Sequence, residues 1–131
     1  MNAVNQYQQV NTQTSVVDAD PHRLIQLLLD GALDRLSMAK NRIQAKDFEG
    51  KNRFINKAIE IVGGLRSFLD TDKGGALAGN LEALYDYIER RLFEANVRNS
   101  IEIVDECVSL LKEVKGGWDG IRQEVLEKQL A

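Results

Sequence analysis

A single histidine, a single cysteine, a single proline and a single tryptophan stand among the 131 residues, and most of these scarcities remove a class of function. Cys107 has no second cysteine for an internal disulfide, as suits a reducing cytosol. A helical bundle that holds a carboxylate-bridged metal pair needs paired Glu-x-x-His motifs, which one histidine cannot supply. A general base also needs an orienting group, and no pattern in the sequence provides one for His22. Next to Pro21, in the first turn of a helix, His22 reads as a solvated surface residue. Basic clusters are missing too: 17 Lys and Arg against 20 Asp and Glu leave a net charge of -3. That balance is the opposite of a nucleic-acid surface. No apolar run approaches the roughly 20 residues that span a bilayer. The opening MNAVNQYQQVNTQT has neither the basic start nor the apolar stretch of a secretory signal. Gly74-Gly75 and Gly116-Gly117 lie outside any phosphate-cradling pattern. The expectation is a cytosolic protein that is not an enzyme, carries no cofactor or metal, binds no nucleic acid and does not insert into a membrane.

What is present is helical. Residues 1–17, rich in Asn, Gln, Thr and Val, have no helical period and are expected to form an extended tail, leaving 18–131 as one bundle domain. Asp18 or Asp20 caps a first helix with Pro21 in its first turn, running to about Ala45. Asp47 caps a second, which continues to Leu69 through Gly63-Gly64. Asp70 to Gly75 reads as a turn. A third helix covers about Ala76 to Ala95, and Asn99 or Ser100 caps a fourth that reaches Lys115. Gly116-Gly117 is expected to stop it, with a short fifth helix from Trp118 to Lys128. Long helices on short loops run antiparallel, so the fold class is all-α, an up-down four-helix bundle.

Apolar residues are more widely spread than a bundle core requires. Helix three keeps a narrow stripe through Leu77, Leu81, Leu84, Ile88, Leu92 and Ala95, with Tyr85 and Tyr87 on its flanks. Helix two spreads over about 180°, through Phe54, Ile61 and Phe68 among others, where about 100° suffices. Helix four does the same through Ile103, Cys107, Leu110 and Val114, and helix one through Ile25, Leu29 and their neighbours. Cys107 acts there as a small hydrophobe. Such faces are covered by the tail, the fifth helix or a second subunit, or they leave grooves for an apolar partner segment.

The wording of helix three goes further than its period. Asn80-Leu81-x-x-Leu84-Tyr85-Asp86-Tyr87-x-x-x-Arg91-Leu92-x-x-Ala95-Asn96 resembles the flagellin export chaperones, the FliS family. The likeness extends over nearly the whole chain: Tyr7 in the polar tail, Asp30-Gly31-Ala32, Leu69-Asp70 before Gly74-Gly75, and the late Trp118. Leu29 stands where many members carry a tyrosine, and Gly116-Gly117 where a helix former is more usual. The resemblance implies a bacterial chaperone that binds the disordered C-terminal segment of flagellin, prevents early polymerisation and presents it to a component of the flagellar export gate. Flagellar regulatory proteins are further partners it suggests. The broad apolar faces then become grooves, with Ile25, Leu29, Phe54, Ile61, Phe68, Tyr85, Tyr87, Ile103, Cys107, Leu110 and Val114 as partner-binding residues. Tyr7 and Val10 either stay in a disordered tail or lie over part of a groove until flagellin displaces them. The alternative is a structural or regulatory bundle that self-associates through helices two and four, or a homodimer when unliganded.

Overall fold

A computed structural model describes residues 20–120 and contains four α-helices: α1 Pro21–Gln44, α2 Phe48–Ser67, α3 Thr71–Arg98 and α4 Ile101–Gly120. No strand occurs among the described residues. Each helix begins on a side-chain oxygen that takes up an otherwise orphan amide. Asp20 accepts from the Arg23 N–H at 2.8 Å, Asp47 from Gly50 at 3.0 Å, and Ser100 from Ile103 at 3.1 Å. Asp70 accepts from both Asp72 and Lys73, at 3.1 and 3.0 Å. Asp70 to Gly75 is therefore not a turn: Asp70 starts α3 at Thr71, and the irregularity is a kink at Gly75. There φ is 58° and ψ is -137°, a backbone state that glycine alone adopts without strain. Asn99, at φ 52°, closes α3 in the left-handed conformation.

Cross-helix contacts fix the direction of two pairs. Lys40 meets Asp105 and Lys115 meets Asp30, so α1 and α4 run opposite ways. Lys51 meets Asn96 while Arg66 meets Glu82, so α2 and α3 do the same. Each helix packs against its neighbour in sequence and α4 closes on α1, giving the up-down ring. Inside it Leu28 and Leu36 of α1, Ile55 and Val62 of α2, Ile88 and Leu92 of α3, and Val104 and Leu111 of α4 are fully buried. Each such side chain contributes about 1.5–3 kcal/mol.

Two sequence expectations give way here. The pair Gly116-Gly117 does not stop α4, which continues to Gly120, so Trp118 starts no new helix. The rest of the expected fifth helix lies outside the described residues. His22 is not a solvated surface residue but only 6% exposed, because α4 reaches far enough to cover it. Its Nε2 lies 2.8 Å from the Trp118 carbonyl, and the Trp118 indole N–H donates to the His22 carbonyl at 2.9 Å.

Candidate functional site

At the end of the bundle where α2 passes into α3, side chains stop filling the space between helices. A cavity of about 330 Å³ opens there, walled by Ile25, by Leu65, Phe68 and Leu69, and by Leu77, Ala78, Leu81 and Tyr85, with Trp118 on its α4 side. Asp70 and Lys73 border it. A second cavity of about 300 Å³ runs between α3 and α4, lined by Leu77, Leu81, Glu113, Val114, Gly117 and Trp118. Leu77, Leu81 and Trp118 belong to both, so the two make one apolar trough.

The trough stays open for a local reason. Antiparallel pairing sets Leu77 and Leu81 against the last turn of α4, where Gly117 offers no side chain to cover them. Leu77 is left 69% exposed and Phe68, just past the end of α2, 42%. The kink at Gly75 displaces the first turn of α3 from the straight helix that follows.

The walls are braced from outside by charged side chains. The Arg66 guanidinium bridges Glu89 at 2.6 Å and Glu82 at 2.9 Å, tying the last turn of α2 to two successive stretches of α3. Hydrogen bonds to Glu82 and Glu89 raise the Arg66 pKa above its usual value. Between α3 and α4, Glu106 accepts from Arg91 and from the Tyr87 hydroxyl, both at 2.7 Å. Arg91 is the main reason the Glu106 carboxyl is held below the usual range, and the bond to Glu106 in turn raises the Tyr87 phenol. Asp86 pairs with Arg90 at 3.0 Å, an exposed i,i+4 pair on α3.

Among the described residues no group of three or more His, Cys, Asp or Glu is placed to hold a metal ion, and no helix is long and apolar enough to cross a membrane. The trough is built for apolar contact.

A family model described as Flagellar protein FliS matches residues 3–125. The chain belongs to the FliS family. Flagellar secretion chaperone FliSB of Pseudomonas aeruginosa is 52% identical over 121 residues, which is 92% of this chain and 96% of that protein. Flagellar secretion chaperone FliS of Salmonella typhimurium is 40% identical over 119 residues, covering 90% of this chain and 88% of its own. A crystal structure of a flagellar chaperone from bacteria shares the fold, with a TM-score of 0.75 at 18% identity over 92% of this chain and 98% of that one. FliS is a family of chaperones, and the chain is not an enzyme.

In this FliS chain the residues expected to meet a partner are divided by burial. Ile25, Phe68, Tyr85 and Val114 line the trough. Tyr85 forms its floor rather than a flank, 3% exposed, and burial pushes its phenol up to about 12. Phe54 and Leu110 are half-buried against the core, and Tyr87 lies at the α3–α4 rim on Glu106. Leu29, Ile61, Ile103 and Cys107 instead pack in the core cluster, none more than 6% exposed, and line neither of the two cavities. Their helices are broad because each packs on two neighbours at once. Tyr7 and Val10 lie outside the described residues.

Sequence reasoning placed Leu77 in the core stripe and left Leu65, Ala78 and Trp118 out of the site. The signal for Leu77 was the glycine on the opposite helix, which periodicity on a single helix does not read.

Proposed function

We propose that this protein is a cytoplasmic export chaperone that takes the disordered C-terminal segment of flagellin into the trough. It thereby prevents premature polymerisation and carries the segment to the flagellar export gate. One observation supports this most: a FliS-family bundle with an apolar trough whose wall residues Phe68 and Leu77 are left 42% and 69% exposed. A segment that folds on binding can bury a large apolar area there, at an ordering cost of about 2–5 kcal/mol that keeps the complex releasable. The sequence has no nucleotide-binding pattern, so release comes by handover or competition, with flagellar regulatory proteins as competitors. The deciding experiment is calorimetry of the full chain with flagellin and with flagellin lacking its C-terminal segment. Binding of the first alone is expected; equal binding of both overturns the reading.

A self-associating bundle is the second reading. It is favoured by Phe93 and Val97, one turn apart on α3 and 66% and 68% exposed. Size-exclusion at several concentrations separates the two: a dimer built on Phe93 and Val97 grows with concentration and is lost in Phe93→Asp.

A further inference from the structure

The trough is not uniform along its length. Trp118 and the leucines Leu77 and Leu81 are the residues common to its two cavities, so the indole stands on the boundary between them. The ring is also tied to the start of α1 by stacking and hydrogen bonds. It lies parallel to the His22 imidazole, with ring centres 4.6 Å apart and planes 8° from each other. Its N–H donates to the His22 carbonyl at 2.9 Å, while the His22 Nε2 meets the Trp118 carbonyl at 2.8 Å. One residue further on, Asp119 accepts from Gln26 Nε2 at 2.7 Å and from Lys115 Nζ at 2.8 Å. The end of α4 is thus clasped to the start of α1 by contacts that use the backbone and side chain of both His22 and Trp118. A large aromatic side chain held this way cannot swing aside to merge the two cavities.

We infer that Trp118 is a specificity-determining ridge, held in place by His22 as a positioning residue, and that the trough therefore reads two separate apolar anchors on one segment. This deepens the flagellin-binding proposal and rests on it for the identity of the segment. One anchor enters between the ends of α2 and α3, where Leu65, Phe68 and Leu69 receive it. The other enters beside Val114 and Gly117. Each cavity, near 300 Å³, is at the small end of the roughly 300–1,000 Å³ found for ligand clefts, which suits side-chain-sized anchors. A segment with a single apolar stretch fills one side and leaves the other empty, so discrimination comes from the spacing of anchors across the indole.

Trp118 is the chain's only tryptophan, so its emission reports the ridge directly. Full-length wild type, Trp118→Ala, His22→Ala and His22→Phe are titrated with the flagellin C-terminal segment by calorimetry, and separately with the apolar dye anilinonaphthalene sulfonate. Far-UV circular dichroism checks each fold. Segment binding is expected to shift Trp118 emission, and affinity is expected to fall tenfold or more in Trp118→Ala and in His22→Ala. His22→Phe keeps a ring to stack on the indole and is expected to restore affinity to within about threefold. Two dye molecules are expected on wild type and one on Trp118→Ala, whose cavities have merged. Wild-type affinity and two bound dyes in Trp118→Ala would overturn the ridge. Loss of affinity in His22→Phe equal to that in His22→Ala would overturn positioning by stacking. If wild type ignores the segment while the dye count still drops in Trp118→Ala, the flagellin reading fails and the divided trough stands.

Discussion

The Lys51 ammonium donates to the backbone carbonyl of Asn96 at 2.8 Å, from a side chain on a residue only 7% exposed. Asn96 lies in the last turn of α3, where carbonyls have run out of partners along the helix and the dipole favours a cation. The same residue reaches back through its side-chain amide to Asn52 Oδ1 at 2.6 Å. The Ala95-Asn96 pair that ends the family-like run is therefore a junction between α2 and α3. Burial lowers the Lys51 pKa from the ordinary lysine value, since a desolvated cation is disfavoured.

Replacing Lys51 with Met keeps the aliphatic stem and removes the donor. The Asn96 carbonyl then stays buried without its charged partner, and unfolding free energy is expected to drop by about 1–3 kcal/mol. Urea denaturation followed by circular dichroism checks this. A variant as stable as wild type would mean that solvent reaches the carbonyl instead.

Charge introduced at four apolar positions separates wall from core. Ile61→Asp and Ile103→Asp put a carboxylate at sites 1% and 6% exposed, and both are expected to unfold the bundle, with losses of about 4 kcal/mol or more. Phe68→Asp and Leu77→Asp act at 42% and 69% exposure, and are expected to leave the melting temperature close to wild type. Those two should weaken binding of the flagellin segment by about 2 kcal/mol each, the worth of a lost apolar anchor. Parallel melting curves and calorimetry decide the matter. Full binding by both wall variants would place the occupant elsewhere.

Much of this division was legible from the sequence, and the rest was hidden for identifiable reasons. Four helices, the caps Asp20 and Asp47 and the closed ring follow from periodicity and capping chemistry, which are local. Asp70-Thr71-Asp72-Lys73-Gly74-Gly75 has the composition of a turn, yet a cap and a single glycine kink let it be helix. Which apolar residues are left exposed depends on what stands opposite, and that is a property of two helices in register. Ile61 and Phe68 belong to the same fan, but one faces the ring and the other passes beyond its end.

Arg66 offers a test in salt. Its bonds to Glu82 and Glu89 lie on a partly exposed surface, where ion pairs are screened at a Debye length of about 3 Å in 1 M salt. Arg66→Ala should melt below wild type at low salt, and the gap should close as salt is raised. Differential scanning calorimetry across a salt series reads this; a gap independent of salt would assign the effect to packing of the arginine stem.

Cys107 and Tyr85 make stability fall in alkali. Burial pushes the Cys107 thiol from 9.0 to about 12 and the Tyr85 phenol from 10.0 to about 12. Both groups are neutral when protonated, so each stabilises the fold fully below its unfolded pKa and loses that contribution as pH rises toward the folded value. Cys107 acts first, from pH 9.0 upward, with a slope of at most about 1.4 kcal/mol per pH unit. Cys107→Ala is expected to flatten the fall just above pH 9.0 and leave the later, tyrosine-driven part. The thiol, 0% exposed and 3.9 Å from the Ile88 carbonyl, is also expected to react with a thiol reagent only when the bundle opens. Labelling rates that track denaturant confirm that; rapid labelling of the native protein would refute it.

The two glycines at the end of α4 are expected to respond alike in stability and differently in binding. Neither has a positive φ, and a Cβ built on either meets nothing within 4 Å, so the helix accepts alanine at both. Alanine in place of glycine in a helix interior gains about 0.5–1 kcal/mol through the lower entropy of the unfolded chain. Gly116→Ala, at a position that lines neither cavity, should therefore raise stability by that amount and leave binding alone. Gly117→Ala should raise stability similarly but narrow the second cavity, whose wall includes Gly117 next to Leu77 and Leu81. Its affinity for the flagellin segment should drop severalfold while its melting temperature rises. Denaturation and calorimetry on the two single variants test the pair. If Gly117→Ala binds as tightly as Gly116→Ala, the occupant does not enter the space between α3 and α4, and the glycine there serves only the helix.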